Sequence, residues 1–154
     1  MADYTLLIFY STLALGVSFL CSILEAVVLS IPQTYVSVLE KDGKRTAAMW
    51  SYLKDDDSVR PLTAILTLNT VAHTMGAAGV GSEVAKQFGD SALTVASVIL
   101  TLAVLFFSEI IPKTLGAAYW KRLSTPSAYI LTWLTKMLVT VSYTHLTLPT
   151  KRIV

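Results

Sequence analysis

Residues 4–31 read YTLLIFYSTLALGVSFLCSILEAVVLSI. From Tyr4 to Leu24 no side chain carries a charge; after Glu25 the apolar character resumes as far as Ile31, just before Pro32. The hydrocarbon core of a bilayer takes about 20 apolar residues to cross as a helix. The stretch therefore predicts one spanning helix over about 4–31, long enough to tilt. A cleaved signal peptide would need basic residues ahead of the apolar run and a small-residue cleavage site after it. The charged residue ahead of it is Asp3, and the run is too long for such a peptide.

The remainder of the chain is similarly sparing with charge. Twelve basic and ten acidic side chains among 154 residues make 14% charged, against 54% hydrophobic, where a soluble domain carries about 25% charged. A disordered chain, a nucleic-acid binder and an ordinary cytosolic enzyme are excluded on this ground. Two histidines and one cysteine rule out a zinc finger, an iron–sulfur site or a disulfide framework within the chain. Cys21 reads as a small packing residue. Pro61 to Ser82 and Ser91 to Ser108 are two further charge-free runs. They predict spans over about 61–82 and 91–111, and hence an all-α membrane protein with three transmembrane helices. Gly76, Gly79 and Gly81 suit close helix packing and the end of the second span, and Glu83 to Asp90 reads as a short polar link.

Ten of the charged residues lie between Ile31 and Arg60. Lys41 to Lys44 reads as a turn between two short helices. The apolar side made by Met49, Trp50 and Leu53 suits a helix resting on the membrane surface. Asp55, Asp56 and Asp57 read as a solvated turn, with a regulatory cation site as the alternative. Tyr129 to Val141 is apolar except for Lys136. A lysine at mid-depth would cost about 2.5–3.5 kcal/mol, which favours an interfacial helix over about 126–141 above a fourth span. Lys41, Lys44, Arg45, Lys54 and Arg60 place the 31–60 loop in the cytoplasm, and Lys113, Lys121 and Arg122 do the same after the third span. The N-terminus is then outside. The segment 142–154, SYTHLTLPTKRIV, departs from the pattern and is expected to be a non-native tail of translated adapter sequence, with natural sequence stopping near Val141.

Two carboxylates interrupt the apolar runs, and an ionisable group at membrane depth is a candidate functional group. Counted from the prolines at a rise of 1.5 Å per residue, Glu25 lies roughly 10 Å, Asn69 roughly 12 Å and Glu109 roughly 5 Å inside the cytoplasmic boundary. Ser18, Ser22 and Glu25 are spaced i, i+4, i+7 and share one helix face. Asn69 and His73 are spaced i, i+4, with Thr67, Thr70 and Thr74 nearby. Each hydroxyl taken alone is expected to bond its own i−4 carbonyl. Together the set offers oxygen ligands and one histidine, the donors that hard cations such as Mg²⁺ prefer. Pro112 removes an N–H and frees carbonyls one turn earlier, which either lets the chain exit or supplies ligands beside Glu109. No H-E-x-x-H, G-x-S-x-G, Walker loop or G-x-G-x-x-G occurs, so no enzyme is expected. His73 beside Glu109 reads as a hydrogen-bonded histidine before it reads as an acid–base pair.

At these residues the sequence resembles the transmembrane domain of the CNNM/CorC family of magnesium transporters. SILEA at Ser22 to Ala26, LNTVAH at Leu68 to His73 and SEIIPK at Ser108 to Lys113 match the family's three motifs in order and spacing. The resemblance implies three spans, a juxtamembrane belt helix, a homodimer in the lipid bilayer and an inward-facing cavity for Mg²⁺. It also implies export of Mg²⁺ coupled to Na⁺ entry. Ser22, Asn69 and Glu109 would be ligands, with Ser18 added because it shares their face and Glu25 as the signature acid. Thr70, His73, Ser108, Pro112 and Lys113 would support the path. His73 replaces a second asparagine and Ser108 a glycine found in many relatives. Adenine nucleotides act in the family through a cytosolic CBS pair that this sequence does not contain, which marks a fragment or an ungated minimal form. A membrane sensor that binds Mg²⁺ without moving it is the alternative function.

Overall fold

The structure, a computed structural model, describes residues 4–150, with the side chains at 56, 57 and 142–150 outside that description. Among the described residues it is helical nearly throughout and contains no strand. Helix α1 (Thr5–Ser30) stops at the Ile31–Pro32 pair. Proline lacks an N–H and pushes the residue before it out of the helical region, and Ile31 is extended at φ −77°, ψ 115°. Helices α2 (Gln33–Lys41) and α3 (Arg45–Lys54) follow as a short hairpin. Their turn uses Gly43 at φ +64°, a conformation that glycine adopts without a Cβ penalty.

The apolar side of α3 is not on a membrane surface. Trp50 and Leu53 are completely buried, in one cluster with Leu24, Val28 and Ile31 of α1 and with Ala128 and Leu131 of the last helix. The α2–α3 hairpin folds back on the C-terminal end of α1, and protein covers the face that the sequence alone left for lipid. A buried tryptophan removes roughly 150–250 Å² from solvent, which makes this cluster the anchor of the hairpin.

Lys54 closes the same corner. The last turn of α1 has no basic residue of its own, and Lys54 Nζ donates to the carbonyls of Val28 (3.0 Å) and Ile31. An ammonium there satisfies orphan carbonyls and complements the helix dipole. Burial pushes the pKa of this lysine below its ordinary value. Lys54→Met is expected to cost about 1–2 kcal/mol, read as a lower melting temperature in detergent.

Helix α4 (Val59–Phe88) is 30 residues long, about 45 Å at the α-helical rise, with Pro61 in its first turn as the sequence predicts. Two expectations are corrected here. The glycines at 76–81 do not end the helix, and Glu83 to Phe88 is helix rather than link. Gly76 and Gly79 do serve the close packing of α4 on α1 expected of them, and Gly81 has open space around it. A Cβ on Gly76 would come within 2.3 Å of Ala14 Cβ, and one on Gly79 within 2.5 Å of the Tyr10 ring. Gly89, at φ +83°, makes the stop.

A short 3₁₀ turn (Asp90–Ala92) leads into α5 (Leu93–Ala103). The chain then winds as a π-helix from Val104 to Ile110 and resumes as α6 (Ile111–Ala118). The third apolar run therefore does not end at 111, as its sequence suggests. Pro112 falls in the first turn of α6, where a missing N–H is tolerated. The continuous segment Asp90–Ala118 and helix α1 are the two described helices long and apolar enough to cross a membrane. They differ in surroundings: 44% of the most apolar part of α1 is buried against protein, and 6% of that of Asp90–Ala118. A helix that is apolar all round yet bare of protein suits a lipid environment. Helix α4 is long enough but carries Thr63, Thr67, Asn69, Thr70, His73 and Thr74.

Helix α7 runs from Trp120 to Thr150, beginning before and ending after the 126–141 expected. It buries Ala128, Leu131, Leu134 and Thr135 against the rest of the protein, while Lys136 is exposed. The side chains of 142–150 and all of 151–154, where a non-native tail is expected, lie outside the described residues.

Candidate cation site

The site is built where α4, the π segment and α6 meet α1. The face of α1 read from the i, i+4, i+7 spacing is real, but its residues do different work. Ser18 and Ser22 are buried, whereas the Glu25 side chain is 35% exposed.

The π segment explains what Ser22 does. Ser22 Oγ donates to the Ser108 carbonyl within that segment, where the Ile111 N–H reaches back five residues to the Phe106 carbonyl and Pro112 offers no N–H of its own. Ser108, also buried, donates its own hydroxyl to the Leu15 carbonyl at 3.1 Å. Helix α1 and the π segment are thus stitched together in both directions. A hydroxyl that donates its proton keeps its lone pairs, so Ser22 remains an oxygen donor. π-Helical turns are frequent at functional sites, and Glu109 lies inside this one.

Three of the proposed ligands, Glu109, Glu25 and Asn69, line two cavities rather than one, and the buried Ser18 and Ser22 line neither. The larger, about 370 Å³, is bounded by Ala14, His73, Ala77, Leu100, Thr101, Val104, Leu105 and Glu109. His73 Nε2 is 2.6 Å from Ser18 Oγ, so the histidine is hydrogen-bonded, as its sequence context suggests. The smaller, about 190 Å³, holds Glu25 and Asn69 among Leu29, Leu62, Ile65 and Leu66. Asn69 Oδ1 is buried there with no hydrogen-bond partner. An unpaired buried amide oxygen costs on the order of 1–3 kcal/mol. Thr70 stands apart: it is exposed and donates to the Leu66 carbonyl at 2.8 Å, as the i−4 rule predicts.

Lys113 joins the two cavities. Its Nζ lies 3.0 Å from Glu109 Oε2 and 3.3 Å from Glu25 Oε2. The first pair is i, i+4 and legible in sequence. The second crosses from α6 to α1 and depends on packing at Gly116, where a Cβ would approach Ala26 Cβ to 2.7 Å. Sequence reasoning also passed over Glu83, a buried carboxylate paired with Lys86 at 2.9 Å. No group of three or more His, Cys, Asp or Glu able to hold a metal occurs among the described residues. Any cation here would rely on amide, hydroxyl and carbonyl oxygens beside one or two carboxylates, a donor set for hard cations rather than soft ones.

The architecture and this constellation define a helical membrane domain whose polar residues gather at the junction of its apolar helices. The model of the cyclin M transmembrane N-terminal domain matches residues 9–154, and the chain belongs to that family. It is 33% identical over 119 residues to the UPF0053 protein sll1254 of Synechocystis, covering 77% of this chain and 33% of the relative. It is 30% identical over 95 residues to the UPF0053 inner membrane protein YfjD of Escherichia coli, covering 60% of this chain and 22% of the relative. A UPF0053 protein of Haemophilus influenzae is 29% identical over 113 residues. The chain spans a third or less of the length of these relatives.

Proposed function

We propose that this domain binds a divalent cation, Mg²⁺, at the junction of α1, α4 and the π segment, and moves it across the cytoplasmic membrane. The observation that carries the reading is the buried Asn69 Oδ1, unpartnered and sharing a cavity with Glu25. A cation would supply the partner that this oxygen lacks. Glu25 shares the Asn69 cavity, Glu109 lines the neighbouring one, and the buried Ser22 and Ser18 are the further oxygens proposed for the path. Membership of a transmembrane-domain family and a relative named as an inner membrane protein support the location.

In this reading α1, α4 and the α5–α6 segment are three spans, the N-terminus is outside, and α7 lies in the interface. The basic residues of the 31–60 loop support that orientation. The family resemblance adds a homodimer, coupling to Na⁺ entry, and control by adenine nucleotide through a CBS pair. Mg²⁺ flux into proteoliposomes tests the core of the proposal. Asn69→Ala is expected to abolish flux while the protein still elutes as a folded species. Normal flux in that variant would remove Asn69 from the path. Saturable Mg²⁺ binding without flux in the unmutated protein would make the domain a sensor instead.

A further inference from the structure

We propose that Lys113 is a tethered counter-cation, which a divalent ion displaces from Glu109 in order to bind. The inference rests on the cation-site reading above. A single ammonium contacts carboxylates on two different helices, at 3.0 Å on Glu109 and 3.3 Å on Glu25. Those carboxylates are the two that interrupt the apolar runs of α1 and Asp90–Ala118. With Lys113 in place, two negative charges are offset by one positive charge.

Geometry makes the lysine displaceable rather than merely structural. Its side chain is 44% exposed, against 25% for Glu109 and 35% for Glu25. The ammonium can therefore swing to water on its flexible stem, while the carboxylates stay where α1 and the π segment hold them. A dication arriving at Glu109 repels the ammonium and offers the carboxylate twice the charge at similar range. Lys113 can retain its existing contact with Glu25 as it leaves Glu109, so neither carboxylate is left unpaired during the exchange. Lys113 is in this sense a positioning residue: it sets how tightly the site holds its ion by competing for the same oxygen.

The prediction is a gain of affinity, which damage to the fold would not produce. Calorimetric titration of the full chain in detergent with MgCl₂ is expected to show Lys113→Met binding roughly tenfold tighter than the unmutated protein. Lys113→Arg keeps the charge and grips carboxylates through a planar fork, so it is expected to bind Mg²⁺ more weakly. Lys121→Met removes an exposed charge elsewhere and is expected to change the affinity little. Unchanged or weaker binding in Lys113→Met would overturn the proposal, as would equal tightening in Lys121→Met. Should Lys113→Met fail to fold, the arginine variant decides: weaker binding supports competition, and unchanged or tighter binding overturns it. No Mg²⁺ binding by the unmutated chain would overturn the cation-site reading and this inference together, whereas normal binding with unresponsive lysine variants overturns this inference alone.

Discussion

Glu109→Gln is expected to weaken Mg²⁺ binding by at least about a hundredfold and to abolish flux. Groups that only orient a metal ligand are worth 10–100-fold in affinity, and this substitution removes the charge of a proposed ligand itself. The amide keeps the shape of the carboxylate and one oxygen, so the π segment retains its bonds to α1 through Ser22 and Ser108. Lys113 keeps Glu25 as a partner, which avoids leaving an isolated ammonium. Folding is therefore expected to survive, checked by helical circular dichroism and size-exclusion elution. Glu25→Gln should be the milder of the two carboxylate variants, because Glu25 is more exposed and lies outside the π segment. Equal flux from Glu109→Gln and the unmutated protein would place the cation path elsewhere.

The second large effect concerns packing. Gly76→Ala would ordinarily stabilise a helix by about 1 kcal/mol. Here the sign is expected to reverse, with a loss of about 2–3 kcal/mol from overpacking. The added methyl would lie 2.3 Å from Ala14 Cβ and 3.2 Å from Ala14 Cα, and no rotamer change can move either atom. Helices α1 and α4 must separate, carrying Ser18 away from His73. Ala14→Gly in the same protein removes the closest contact and is expected to restore most of the loss. Gly81, with nothing within 4 Å of an added Cβ, supplies the control: Gly81→Ala should be neutral or slightly stabilising. Thermal melts of the four proteins in one detergent distinguish these outcomes, and a stable Gly76→Ala would show that the helices do not need this approach.

Much of this architecture is legible in the sequence because hydropathy is a property of the chain in one dimension. Tyr4 to Ile31 and Ser91 to Ile111 announce apolar helices without reference to anything they touch. Glu25 and Glu109 stand out as exceptions, and the Lys41–Lys44 turn follows from local chemistry. The i, i+4 spacing of Glu109 and Lys113 predicts one half of the carboxylate–lysine bridge. The expectations that needed correction share a cause. Trp50 and Leu53 looked like a membrane-facing side because periodicity reports that a face is apolar, not what covers it. In sequence the glycines at 76 and 79 suit both close packing and a helix stop, because their composition is the same whether they end a helix or admit a neighbour, and only the packing half holds.

The sequence by itself therefore determined the membrane class, the apolar segments and the oxygen-rich donor set, all of which depend on residue type and helical spacing. Only the tertiary structure decided how each helix is rotated against the others. Close contacts at Gly76 and Gly116 set that rotation. It sends the Ser22 hydroxyl to the Ser108 carbonyl of the π segment, separates Asn69 and Glu109 into two cavities, and brings Lys113 onto Glu25. Packing of close-fitting surfaces is a relation between distant segments, and spacing along one helix contains no record of it.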